Sequence, residues 1–226
     1  MKSFHPLVLM VGAIGLGFVG AANSQDGLDR RVTYIEVASS ATETAADLLR
    51  NYASSSSEAP GNQFVLALQR SGRSNHFVLV EVWDDEAAQR FNAEADENVA
   101  VFDVLGRLLI TPLDIRLHYD LLSEGMSDVE NEGVYVVTHI DVGPPSRDTA
   151  VELLNELVPA SRSEAGNAGF DVWTTIDRSN HMTALEVWES AAVRNDHVTS
   201  LHTKNFRRRL SPHNGALYDE RIYHAL

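Results

Sequence analysis

The chain predicts an α+β fold of two tandem β-α-β-β-α-β repeats, and three observations carry that prediction. The stretch "SNHFVLVEVWDD" at residues 74–85 has a near twin, "SNHMTALEVWES", at 179–190, so one strand is written twice, 105 positions apart. Further pairs keep the same order: Ile35-Glu36-Val37 with Ile140-Asp141-Val142, Asp47-Leu48-Leu49 with Glu152-Leu153-Leu154, and Gly61-Asn62 with Gly166-Asn167. Ser57-Glu58-Ala59 matches Ser163-Glu164-Ala165 at a spacing of 106, which calls for one gap. Lastly, the repeated strand is apolar on both sides. His76, Val78, Val80 and Val82 share one face, and Phe77, Leu79, Glu81 and Trp83 share the other.

Within the first repeat, β-rich runs predict strands near 32–38, 63–70, 76–83 and 113–121, with helices near 42–55 and 85–110. In the second, "VYVVTHIDV" (134–142) is a strand closed by Gly143-Pro144-Pro145. Ser146 is placed to cap the helix that follows, whose Ala150, Leu153, Leu154 and Leu157 fall at helical spacing. Phe170–Ile176 and His181–Trp188 form a hairpin across the turn Asp177–Asn180. Residues 189–210 are helical with a break near Thr199-Ser200, and 217–223 complete the sheet. The acidic, glycine-flanked "SEGMSDVENEG" (123–133) has little to bury and reads as a linker between repeats at 25–122 and 134–226. Each repeat then folds as a ferredoxin-like layer, an antiparallel four-stranded sheet with helices on one face. The bare face needs cover, and the second repeat supplies it: the chain carries its own partner sheet.

Bulk properties narrow the function. The net charge of −14 argues against nucleic acid or an anionic membrane as partner, since both require cationic patches. With no cysteine there are no disulfides, thiolate nucleophiles, Cys-ligated zinc or iron–sulfur clusters. At the N-terminus Lys2 precedes the uncharged run "LVLMVGAIGLGFVG" and the small residues Ala22-Asn23-Ser24. That pattern predicts a cleavable signal peptide over 1–24, a mature start at Gln25 and an exported protein without membrane attachment after cleavage. The rival reading is a retained anchor.

The stretch "ALEVWESAAVRNDHVTSLHTKNFRRRL" (184–210) resembles the antibiotic biosynthesis monooxygenase family of dimeric α+β barrels, through Glu186, Trp188, His197, His202 and Phe206. The first repeat follows at Glu81 and Trp83, then departs, with Asn92 and Glu97 where the histidines would stand. The resemblance implies a barrel of two layers fused in one chain, a monomeric pseudo-dimer with further oligomerisation left open. It also implies a pocket between sheet and helices, and an activity among cofactor-independent oxidations of quinols and phenols by O2 or haem degradation. The haem-degrading relatives carry Asn on the first strand; "VYVVTHIDV" has none.

The expected reading is an exported monooxygenase that acts on a small aromatic quinol or phenol, with no cofactor and no metal. His197 is the candidate base, because imidazole titrates near ambient pH. Trp188 is a stacking wall and His202 a second catalytic group that only a helix break could bring to the same pocket, since five helical residues turn it to another face. Glu186, Phe206 and Trp83 are candidate substrate-binding residues, and burial should raise the pKa of Glu186. Against each stands a plainer role: core packing for Trp188 and Trp83, a surface helix position for His197 and His202, an arginine partner for Glu186. No H-x-H or H-x-x-x-H spacing supports a metal site. His139 and His181, on strands, are expected to pair with neighbouring carbonyls. Lys204 and Arg207-Arg208-Arg209 read as a solvated helix end. If only the second repeat keeps the histidines, each chain has one active pocket. The alternatives are a non-catalytic protein on the same fold, either a scaffold or a binder of aromatic or hydrophobic ligands, and a haem-binding protein in which a histidine ligates the iron.

Overall fold

The computed structural model of the chain describes residues 27–127 and 133–226. The predicted signal segment and residues 128–132 of the predicted linker lie outside the described residues. Repeat one runs β1 (Asp29–Glu36), α1 (Thr42–Ser57), β2 (Asn62–Arg70), β3 (His76–Trp83), α2 (Glu86–Ala93), α3 (Asp96–Gly106) and β4 (Asp114–Leu122). Repeat two runs β5 (Val134–Asp141), α4 (Arg147–Arg162), β6 (Asn167–Thr175), β7 (His181–Trp188), α5 (Ala191–Thr199), α6 (Leu201–Leu210) and β8 (Asp219–Ala225). Among the described residues no helix is long and apolar enough to cross a membrane.

All eight strands close into one antiparallel barrel, in the order β1-β3-β2-β8-β5-β7-β6-β4. Each repeat contributes its own four strands as one half. The seams join β2 to β8 through Leu68–Arg70 and Tyr223–Ala225, and β4 to β6 through His118–Leu122 and Val172–Thr175. The sheets therefore do more than cover each other. Their edges pair, which removes the exposed N–H and C=O rows an open sheet would leave.

Strand parity sets the layers. Val78, Val80 and Val82 of β3 pack inside the barrel with Val32, Val137, Trp173, Leu185 and Val187. Burying each valine contributes about 1.5–3 kcal/mol, so a charge at Val80 would open the barrel. The opposite faces pack under the helices, with Phe77 and Leu79 against Leu49 and Tyr52 in repeat one. In repeat two, Met182 and Ala184 pack against Leu154, Leu157 and Phe206.

Three local expectations change. The helix expected over 85–110 breaks at Ala95, an extended residue between α2 and α3, in the position that Ser200 takes in repeat two. No gap separates the repeats: α1 and α4 both span 16 residues, and Gly61 and Gly166 close them with the same φ of +79°. A Cβ on Gly166 would sit 2.8 Å from Val193 Cγ1, so glycine is required there for space as well as for φ. At the constant spacing of 105, Glu164 corresponds to Ala59 rather than to Glu58. Ser146 does occupy the N-cap position, but its hydroxyl pairs with His213 Nδ1 at 3.0 Å instead of capping α4.

Candidate functional site

The site lies on the helix-facing side of β7, where alternation puts Glu186 and Trp188 on one face, and both are buried. Trp188 Nε1 donates to Glu186 Oε2 at 3.0 Å. Burial pushes the Glu186 carboxyl up to about 7, against the pull of that hydrogen bond and of the Arg194 and Arg207 charges.

Two short helices bring the histidines over this strand. Ser190 caps α5, its hydroxyl accepting from Val193 N at 3.4 Å. Ser200 then turns extended and caps α6 by accepting from Thr203 N at 3.3 Å. The break re-aims the next turn, and the rings of His197 and His202 come within 5.7 Å. An unbroken helix would hold them on different faces.

Glu164, just past the C-terminus of α4, stands between them. His197 Nδ1 lies 2.9 Å from Glu164 Oε1, and His202 Nε2 reaches the same oxygen. With Nδ1–H donating to the carboxylate, His197 keeps Nε2 as an acceptor; Thr203 Oγ1 lies 3.2 Å from it and Glu186 Oε2 3.8 Å. Burial lowers the pKa of His197, while Glu164 partly offsets the shift. The result is a row of ionisable groups, His202–Glu164–His197–Glu186, hydrogen-bonded through Glu164 and in ion-pair range at Glu186. Glu164, His197 and His202 also offer one ligand atom each within 4.8 Å of one another, a donor set that could take a divalent transition ion.

Trp188 lies against His197 itself, with ring centroids 4.5 Å apart and planes tilted by 31°. The indole face turned toward α5 thus carries the imidazole. His197 is 3% exposed, whereas the His202 side chain is 29% exposed. A groove of about 420 Å³ opens between α4 and α6, lined by Leu153, Leu157, His202, Asn205, Phe206 and Arg208 among others. Phe206, buried at 3%, belongs to its apolar wall.

Trp83 lies far from these groups in the chain and occupies the matching place in repeat one. There its Nε1 donates to Glu81 Oε1 at 3.4 Å, and the Tyr52 hydroxyl donates to the same oxygen at 2.7 Å. Asn92, in the position of His197, bonds Ser56 Oγ at 2.9 Å and Tyr52 Oη at 3.3 Å. Glu97, in the position of His202, is exposed.

Other expectations resolve as follows. His181 pairs with Asp141 at 3.1 Å and His139 with Arg116 at 3.2 Å, so side chains rather than carbonyls satisfy them. Arg207 does not simply point to solvent: it pairs with Glu220 and lies over the Tyr218 ring. Glu164 was missed from sequence because the gapped match equated it with Glu58. The restored spacing at Gly61-Asn62 and Gly166-Asn167 was the signal that could have exposed it.

The family model for antibiotic biosynthesis monooxygenase matches residues 30–97 and 133–209, one segment in each repeat. A curated protein of Bacillus subtilis (strain 168), "Putative monooxygenase YcnE", is 29% identical over 73 residues, covering 32% of this chain and 77% of its own. Among solved structures, a monooxygenase-titled protein of Fusobacterium nucleatum superposes with a TM-score of 0.81 at 15% identity, over 88% of this chain and 92% of that one. One of the same description from Lactobacillus acidophilus NCFM gives 0.75 at 12%, over 88% and 94%. An anthrone oxidase-like protein gives 0.66 at 11%, over 90% and 93%. At such identities the structures show the fold alone. With its family model matched twice, over more than half its length, the chain belongs to the antibiotic biosynthesis monooxygenase family.

Proposed function

We propose that the chain is an exported, cofactor-independent monooxygenase of quinols or related phenols, and that repeat two alone carries the chemistry. The family supports a monooxygenase-type function on a small molecule. The observation that carries the reading is Glu164 held between His197 and His202 beside a groove walled on one side by Leu153, Leu157 and Phe206, with all three absent from the matching place in repeat one.

The substrate lies in the groove against Phe206 and Leu157, and the partly exposed His202 meets its hydroxyl. His202 accepts the phenolic proton, and the Glu164 carboxylate stabilises the imidazolium that forms. His197 acts through Glu164 as a positioning residue and links it to Glu186. The phenolate gives one electron to O2, and the radical pair combines into a carbon–oxygen bond. The returned proton makes the peroxide a hydroperoxide; the oxygenated ring carbon then loses its hydrogen as the O–O bond breaks, so one oxygen atom stays on the ring as a carbonyl and the other leaves with both protons as water.

Oxygen uptake against a panel of quinols, with metal-chelated and flavin-free protein, tests the reading. Uptake abolished by His202→Ala supports it. Absence of uptake with every quinol, together with tight aromatic binding, would instead establish the non-catalytic alternative. Export is tested separately by sequencing the N-terminus of the secreted protein, where a start at Gln25 is expected.

A further inference from the structure

The end of the barrel interior away from Trp188 gathers a cluster of charged side chains around Tyr34. Both repeats build it. Asp114-Ile115-Arg116 on β4 recurs as Asp219-Glu220-Arg221 on β8, again 105 positions on. Arg116 pairs across the sheet with Val32, and Arg221 with Val137. Those valines face the barrel core, and directly paired residues share a face, so both arginines point inward. Each guanidinium carbon lies 5.1 Å from the ring centre of Tyr34. The histidine site is kept by one repeat only; this Asp-x-Arg pair is kept by both.

A pocket of about 280 Å³ opens at this mouth, lined by Tyr34, Arg70, Arg73, His76, Arg221 and Tyr223 among others. The nearby acids already have partners: Glu36 with His76, Asp114 with Arg116, and Asp219 with Arg221. Arg70 and Arg73 make no side-chain hydrogen bond or ion pair among the described residues. The Tyr34 hydroxyl and Arg221 Nε are buried with no hydrogen-bond partner. Both are donors, and a buried donor without an acceptor costs free energy. What this mouth lacks is therefore acceptors and negative charge. The arginines' field is felt by the neighbouring imidazole as well: after burial, the Arg116 and Arg221 charges help hold His139 down to about 4.

We propose that this barrel mouth binds a small oxyanion, a carboxylate or phosphate group, gripped by Arg70, Arg73 and Arg221 with the Tyr34 hydroxyl as a further donor. Guanidinium forks match either group in bidentate geometry, and the pocket volume suits a small anion rather than a drug-sized ligand. In a chain of net charge −14, four arginines converging on one opening run against the overall field.

Calorimetric titration of the protein with inorganic phosphate and with succinate, at fixed ionic strength in chloride, tests this. One anion per chain is expected to bind at up to millimolar concentration and to raise the melting temperature. Arg70→Gln with Arg73→Gln, both near the surface, should weaken binding about tenfold or more, and Tyr34→Phe several-fold, with each fold intact by circular dichroism. Binding of phosphate alone assigns a phosphate-bearing ligand, and binding of succinate alone a carboxylate. No heat from either anion, or affinity unchanged in both variants, overturns the proposal. Quinol-dependent oxygen uptake, recorded alongside, reads the repeat-two site independently.

Discussion

The two spaces between sheet and helices start from the same strand and end as different objects. Each has a buried Glu-x-Trp pair in which the indole donates to the carboxylate. In repeat one the carboxylate is met by the Tyr52 hydroxyl, and Asn92 and Asn98 lock it from behind. In repeat two the residue at the Tyr52 position is Leu157, which cannot reach the carboxylate and instead lines the groove. The freed Glu186 faces His197, and Glu164 replaces Ala59 to tie in both histidines. Four exchanges, Tyr52 for Leu157, Ala59 for Glu164, Asn92 for His197 and Glu97 for His202, separate a sealed, hydrogen-bonded core from a site with an opening and exchangeable protons.

The largest effect that would break this contrast is on turnover. His202→Ala and His197→Ala should each lower quinol-dependent oxygen uptake about 10²–10⁴-fold, while Asn92→Ala leaves it unchanged. Equal losses from both repeats would erase the distinction. Tyr52→Leu should cost about 3 kcal/mol of stability, read by urea unfolding, because it removes packed volume and strands the buried Glu81. The converse Leu157→Tyr should block the groove and abolish uptake, with a cost of about 1–3 kcal/mol for the larger ring in the core.

Glu186 sharpens the comparison through pH. Its carboxyl stands near 7 in the fold and near 4.5 unfolded, so the folded state holds a proton that the unfolded state has lost between those values. Its contribution is full below about pH 4.5 and disappears as pH rises through about 7, a fall of roughly 3 kcal/mol. Glu186→Gln should flatten the stability profile over that window in chemical denaturation. Smallest is the helix break: Ser200→Ala should cost about 1 kcal/mol through its lost cap, and Ala95→Ser should gain up to about that much in repeat one.

Much of this was readable in the residues. Alternation along 76–83 and 181–188 announced which side chains face the barrel and which face the helices, and the break at Ser200 was marked by a capping residue. The role of Glu164 was not readable, because it sits in a loop whose place in the repeat depends on helix length rather than on local pattern. Nor did Tyr52 declare itself: at its helical position it looks like any core aromatic, and only docking of α1 on β3 shows its hydroxyl against Glu81.

The sequence alone determined the doubled layer, the faces of each strand and the replacement of the two helix histidines by Asn92 and Glu97 in repeat one, because residue identities and the periods of 2.0 and 3.6 residues are local properties of the chain. Tertiary structure decided that the sheet edges close into a barrel, that Trp188 lies against His197 rather than presenting that face to a ligand, and that four arginines meet at one mouth. Each of these depends on which surfaces meet across long stretches of chain, and contacts of that kind leave no periodic trace in the order of residues.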